Sequence, residues 1–158
     1  MLSYKKLIDV FILLKSSRYV VSGQSMLPSI SHNQIVFANR YAFQSTKPKR
    51  GDIVIVAPPA TPNLKTIKRI IGLPNEIVTL TQHGVSVNGT LLAVPWATNY
   101  AHKIHQRFEW MTQPDHYIVL GDNISLISSN ENSKTIGLVG SSQIVGKVWF
   151  RLWPVAIF

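Results

Sequence analysis

The sequence predicts a mostly-β domain, built of curled antiparallel sheets or a partly open barrel, with one short helix at its N-terminus. Three observations predict it. Short β-branched runs recur, such as Ile53-Val54-Ile55-Val56-Ala57 and Thr66-Ile67-Lys68-Arg69-Ile70-Ile71-Gly72. Glycine, proline, asparagine and aspartate punctuate them. Helical periodicity is confined to a single stretch near the start.

That stretch covers residues 3–16. Leu7, Val10, Phe11 and Leu14 recur at the spacing of one helix face, and Lys5, Lys6, Lys15 and Arg18 flank them. Its apolar run is broken by Asp9 and is far shorter than the roughly 20 residues of a spanning helix. No small-x-small cleavage site follows it. Residues 1–18 are therefore expected to form a short amphipathic helix, which either packs on the domain or lies in a membrane interface with its lysines at the headgroups.

Residues 19–158 are expected to form a single domain, a size that buries a real core. Gln34–Ala38 reads as a strand after the Ser31-His32-Asn33 turn. Lys47–Asp52 is a turn, and Ile53–Ala57 a buried strand. Pro58, Pro59 and Pro62 stiffen the connection to the strand Thr66–Gly72. Glu76–Leu80 and Gly84–Gly89 alternate and read as a hairpin, with Asn88-Gly89 as a further tight turn. Residues 93–115 look like an irregular insertion. There Trp96, Tyr100, Phe108 and Trp110 are interleaved with His102, Lys103, His105 and Arg107, and the aromatics are expected to cover the sheet rather than stack nucleic-acid bases. Tyr117–Leu120 and Ile144–Trp153 complete the strands, with the polar stretch Ser125–Lys134 between them.

Composition narrows the chemistry. There is no cysteine, which excludes thiol catalysis, disulfides and thiolate metal sites. Five histidines show no metal-ligand spacing, and His102 and His105 read as solvated loop residues, so neither a metal nor another cofactor is expected. The net charge of +9 is spread along the chain without any recognition-helix or RNA-binding motif. The expected basic-surface partner is thus a membrane and not nucleic acid.

A candidate nucleophile lies in Ser22-Gly23-Gln24-Ser25-Met26-Leu27-Pro28-Ser29, where glycine permits a tight turn and proline fixes its exit. Ser22 and Ser25 are both available there. A serine needs a base, and no Asp or Glu obviously orients a histidine. Lys68 is the alternative, because it sits inside a strand. A lysine there either snorkels from an edge or is held in an apolar site, where burial lowers its affinity for a proton. Arg69 cannot serve as a base. Gly121-Asp122-Asn123 is a turn that either carries polar groups to a site or is only a turn.

The order of these stretches resembles the signal peptidase I family of serine–lysine proteases. Ser22–Ile30 is similar to the family's nucleophile box, Lys49–Val54 to its Arg-Gly-Asp box, and Ile67–Pro74 to its Lys-Arg box. Val119–Asn123 matches the start of its Gly-Asp-Asn box, and Ile144–Pro154 its closing segment. The resemblance implies a mostly-β catalytic core, Ser25 as nucleophile, Lys68 as general base and the Ser25 amide as half of the oxyanion hole. It implies Met26 near the substrate pocket. It gives Arg69, Asp122 and Asn123 supporting roles. Gly23 stands where some members carry a second, hydroxyl oxyanion donor. The resemblance further implies a polypeptide substrate with small residues before the cleaved bond and an extracytoplasmic, membrane-associated active site. The family's spanning anchor is not expected here, which would suit a cytoplasmic location if that absence is genuine.

One segment departs from the pattern. Where the family continues with Ser-x-Asp-Ser-Arg, this chain has Asn130-Glu131-Asn132-Ser133-Lys134. Asn130, Asn132 and Lys134 would stand in for the supporting serine, the aspartate and the arginine, without the ionic lock. This leaves two alternatives to a signal (leader) peptidase. One is a soluble relative that trims a specific leader, of the nickel superoxide dismutase type, although such relatives tend to lack the Glu76–Asn88 hairpin. The other is a degenerate member that binds peptide or membrane without cutting, which intact Ser25 and Lys68 oppose. A self-cleaving repressor is excluded by the lack of an Ala-Gly site ahead of the serine.

Overall fold

The computed structural model of the chain describes residues 16–57, 63–100, 106–123 and 136–158. The expected N-terminal helix therefore falls mostly outside the described residues. Its last three positions, Ser16–Arg18, are instead the start of strand β1, Ser16–Val20. Tertiary pairing decides this. Ser16 through Val20 run antiparallel to Asn39 through Ile35 of β2 (Ile35–Asn39), and the Ser16 hydroxyl accepts the Trp149 indole N–H at 2.8 Å.

Among the described residues twelve strands form two open antiparallel sheets, so the curled-sheet expectation holds and the sheets do not close into a barrel. The larger sheet runs β1, β2, β11 (Ile144–Arg151), β3 (Ile53–Val56), β4 (Thr66–Gly72), β9 (His116–Leu120) and β10 (Ile136–Gly140). β12, Ala156–Ile157, pairs with β11. The smaller sheet runs β7 (Thr90–Leu91), β6 (Gly84–Val87), β5 (Ile77–Thr81) and β8 (Phe108–Met111). Its β5–β6 pair is the hairpin anticipated from alternation.

Residues 93–115 are more regular than expected. Pro95–Tyr100 is a 3-10 turn, and β8 pairs with β5. Phe108 and Trp110 turn inward while Glu109 and Met111 face solvent, which is the period-2 pattern of a half-buried strand. The aromatics cover the sheet as anticipated: Phe108 and Trp110 stack at 5.8 Å and pack on the core around Ile71, Val78, Leu80 and Leu120. Residues 101–105, with His102, Lys103 and His105, lie outside the described residues, as do Asn130, Asn132 and Lys134.

β3 and β4 are buried along nearly their whole length because they lie mid-sheet. One face of this region packs Ile53 and Ile55 with Met26, Ile30, Val36 and Val148. Val54, Val56 and Ile70 pack on the other with Tyr117, Val119 and Val139. Lys68 and Arg69 are thus consecutive in a buried, mid-sheet strand.

Candidate active site

Alternation along β4 sends its two cations to opposite faces. Arg69 pairs across the sheet with Ile53 and Leu120, whereas Lys68 pairs with Val54. Lys68 is only 5% exposed, so it does not snorkel. Burial among apolar neighbours lowers its amine from 10.5 to about 8, with the Asp122 carboxylate pulling weakly the other way.

The β4–β9 register pairs Arg69 with Leu120 and Ile70 with Val119, so the Gly121-Asp122-Asn123 turn leaves the end of β9 beside this part of β4. Gly121 has no side chain, and Ser25 fills the space. A Cβ on Gly121 would lie 2.4 Å from the Ser25 carbonyl oxygen and 3.3 Å from the Ser25 Cβ. The expected nucleophile thus packs on Gly121, and the Lys68 amine lies within electrostatic reach of the next residue, Asp122.

The turn itself is pinned from several sides. Met26, expected beside the pocket, is 2% exposed and anchors the turn in the core with Ile30. The Ile30 N–H donates to the Met26 carbonyl at 2.8 Å, and Leu27 N–H donates to the Gln24 carbonyl at 3.2 Å. Gly23 has φ +93 with open space around it, so backbone conformation and not crowding requires glycine there. Its N–H donates to His32 Nδ1 at 3.1 Å. Ser22 is exposed beside it. Asn123 bridges from the far side: its N–H donates to the Ser25 carbonyl at 2.9 Å and its Nδ2 to the Gln24 carbonyl at 3.1 Å.

Beneath the turn lies a buried ionic cluster. Arg69 donates from Nε and Nη2 to the two Asp122 oxygens at 2.8 and 2.6 Å. Its remaining donors reach the Gly51 carbonyl at 2.8 Å and the Ser29 hydroxyl at 3.1 Å, and its guanidinium lies 5.3 Å over the Trp96 ring. Tyr100, fully buried, places its hydroxyl 3.2 Å from the Gly121 carbonyl and 3.3 Å from Asp122 Oδ1. Burial, with Asp122 beside it, holds the phenol well above its usual range, so it remains a neutral donor. This ties Asp122 at once to the nucleophile turn and to the smaller sheet.

Gly23, Ser25, Met26, Arg69, Asp122 and Asn123 thus gather around the turn, and Lys68 is buried within electrostatic reach of Asp122. The sequence reading missed Tyr100, Ser29 and Gly51 as members of the cluster. Tyr100 was counted only as an aromatic of the insertion, and no local signal links it to Asp122.

Similarity places this geometry in context. The sequence matches the profile of "Signal peptidase, peptidase S26" over residues 6–153. It is 31% identical to signal peptidase I of Bacillus caldolyticus over 154 residues, covering 90% of this chain and 82% of the relative. It is 32% identical to signal peptidase I of Leptolyngbya laminosa over 149 residues, covering 88% and 69%. It is 30% identical to signal peptidase IB of Staphylococcus aureus over 156 residues, covering 89% and 79%. A crystal structure of a signal peptidase I from Enterococcus faecalis V583 is 28% identical with a TM-score of 0.49, covering 65% of this chain and 97% of that one. With that profile spanning most of its length, the chain belongs to the signal peptidase family, peptidase S26, a family of serine endopeptidases.

Proposed function

We propose that this protein cleaves signal (leader) peptides after a small residue, with Ser25 as nucleophile and Lys68 as its general base. The observation that carries the reading is a buried lysine within electrostatic reach of Asp122, next to the Gly121 on which the serine turn packs. A lysine amine lowered to about 8 is neutral in a useful fraction of molecules near neutral pH. Arg69 cannot take its place, since a guanidinium stays protonated.

The steps follow from that arrangement. An extended substrate segment adds beside the sheet, its backbone supplying the hydrogen bonds. Neutral Lys68 takes the Ser25 hydroxyl proton as Oγ bonds to the scissile carbonyl carbon. The oxyanion so formed is met by the Ser25 N–H. The Lys68 ammonium returns its proton to the leaving amine, and an ester remains on Ser25. Lys68 then accepts a proton from water as its oxygen bonds to the ester carbonyl carbon, the Lys68 ammonium gives that proton to Oγ as the C–Oγ bond breaks, and the new carboxyl product leaves.

Membrane-surface association is part of the proposal, with the active site on the extracytoplasmic side. Leu152, Trp153, Val155 and Ile157 are 45%, 77%, 65% and 78% exposed at the β11–β12 connection. An apolar cluster of this kind on a basic chain suits an interface with anionic lipid. Arg151, next to it, donates to the Ser29 carbonyl, so this face adjoins the nucleophile turn.

The test is cleavage of a signal-peptide reporter with alanine before the cleaved bond. Ser25→Ala and Lys68→Ala should each abolish cleavage while leaving the fold intact by circular dichroism. Wild-type-like turnover by either variant rejects the assignment.

A further inference from the structure

We infer that Asn123 is a positioning residue for the oxyanion hole: by holding the Gln24 carbonyl on one side and the Ser25 carbonyl on the other, it aims the Ser25 N–H at the reacting carbonyl. The inference rests on the proposal that Ser25 is the nucleophile. It concerns the orientation of one peptide unit.

The Gln24–Ser25 peptide is trans. In a trans peptide the C=O and N–H point in opposite directions. Whatever fixes the Gln24 carbonyl therefore fixes the Ser25 amide the other way. Two donors reach that carbonyl, Leu27 N–H at 3.2 Å and Asn123 Nδ2 at 3.1 Å. A carbonyl oxygen only accepts, so it is the amide nitrogen of Asn123 that faces it. The Asn123 N–H, at 2.9 Å from the Ser25 carbonyl, grips the next peptide as well. Asn123 thus brackets the nucleophile from a segment 99 residues distant from Gln24. The segment is itself held, because Asp122 is locked by Arg69 and faces the Tyr100 hydroxyl.

Gly23 offers no side chain, and its N–H is committed to His32 Nδ1. Among the described residues, no hydrogen-bond acceptor takes the Ser25 N–H. The Ser25 N–H is thus free to face the reacting carbonyl. A flipped Gln24–Ser25 peptide would replace that donor with a carbonyl oxygen, which repels the developing negative charge.

Asn123→Ala and Asn123→Asp test this, since both keep the backbone N–H and remove the side-chain donor. Removing a whole oxyanion donor costs about 10²–10³ in rate. Loss of its orientation should cost roughly 10–100-fold in kcat with little change in KM. A peptide aldehyde with alanine at its C-terminal position gives a second readout. Its hemiacetal with Ser25 puts oxygen in the hole, whereas the matching peptide amide binds without bonding. The ratio of the two affinities should fall by the same roughly 10–100-fold in both variants. An unchanged ratio, with thermal midpoints near wild type, overturns the inference. Ser25→Ala, measured alongside, reports on the nucleophile separately, because there the aldehyde should lose its advantage. If wild type shows no such advantage, the nucleophile assignment fails. The peptide orientation in crystals of wild type and Asn123→Ala then decides the inference alone: a turned peptide supports it and an unturned one overturns it.

Discussion

Replacing Lys68 by methionine should destroy activity and at the same time stabilise the protein. The substitution keeps an unbranched stem of similar volume in an apolar site and deletes a charge that the site disfavours. Burial lowers the Lys68 amine from 10.5 to about 8. At about 1.4 kcal/mol per pH unit, that difference is a penalty on the order of 3 kcal/mol for folding with Lys68 protonated. The penalty is complete below pH 8, where both folded and unfolded chains carry the proton. Between about 8 and 10.5 the unfolded chain binds the extra proton and the folded one does not, so wild-type stability rises with pH. Above about 10.5 neither carries it and the penalty vanishes. Urea unfolding of both proteins from pH 6 to 10.5 isolates Lys68, because the other titrating groups cancel in the difference. Lys68→Met should be more stable by on the order of 3 kcal/mol at pH 6, with the gap closing toward pH 10.5. A constant gap, or a less stable variant at pH 6, would refute a desolvated lysine and with it the argument for a neutral base.

Four further outcomes follow from the structure. The pH profile of kcat/KM should rise through an apparent value near 8, the pH at which Lys68 loses its proton. Asp122→Asn should cost about 3–5 kcal/mol in chemical denaturation, since it leaves the buried Arg69 without its counter-charge. In whatever fraction stays folded, the rise of kcat/KM should move to lower pH, because Asp122 is what holds the Lys68 amine up. Gly121→Ala would put a Cβ 2.4 Å from the Ser25 carbonyl oxygen and must displace the turn. A displacement near 1 Å lowers kcat/KM by about 10²-fold, and reporter cleavage at wild-type rate would argue against the contact of Ser25 with Gly121. Trp153→Glu with Ile157→Glu should weaken co-flotation with anionic vesicles by tenfold or more, at about 1.5–3 kcal/mol per buried apolar side chain, while turnover of a short soluble peptide stays unchanged.

What the sequence discloses, and what it does not, follows from the range of the interactions. β3 and β4 are legible because a β-branched run between Gly or Pro punctuation is a local signal. The β5–β6 hairpin is legible from alternation across a short turn. Lys68 stands out because alternation alone puts it inside a strand. β8 is hidden, since Phe108–Met111 is only four residues long and is defined by pairing with β5 about thirty positions away. β10 is hidden for a similar reason: Ile136-Gly137-Leu138-Val139-Gly140 has two glycines and becomes a strand through pairing with β9. β1 begins before the expected end of the helical stretch because β2 and Trp149 recruit Ser16–Arg18. Within the site, the motifs identify Ser25, Lys68, Arg69, Asp122 and Asn123. The Tyr100 hydroxyl and the Ser29 hydroxyl join them only through the packing of two sheets.

The adjacency of Lys68 and Arg69 bears on how one carboxylate can serve a site with one charged guanidinium and one amine that is to act as a neutral base. Had both faced the same side, Asp122 would have balanced a shared pair and neither would have had a reason to deprotonate. Strand alternation separates them. Arg69 takes both oxygens of Asp122 in a bidentate pair, with only 8% and 0% of the two side chains exposed. That commitment, with the Tyr100 hydroxyl beside Oδ1, leaves Asp122 only a weak pull on Lys68. Desolvation therefore outweighs attraction at Lys68, and its amine falls to about 8. The same ion pair positions the Gly121–Asn123 turn, whose missing Cβ admits Ser25 and whose asparagine orients it. Conversion of Arg69 to lysine would break this division of labour. An ammonium cannot match the two Asp122 oxygens, the Gly51 carbonyl and the Ser29 hydroxyl from one planar fork. Asp122 would then be freer to act on Lys68, raising its amine and shifting the rise of kcat/KM to higher pH, opposite in direction to Asp122→Asn. Parallel shifts in the two variants would show that Asp122 does not mediate between the cations.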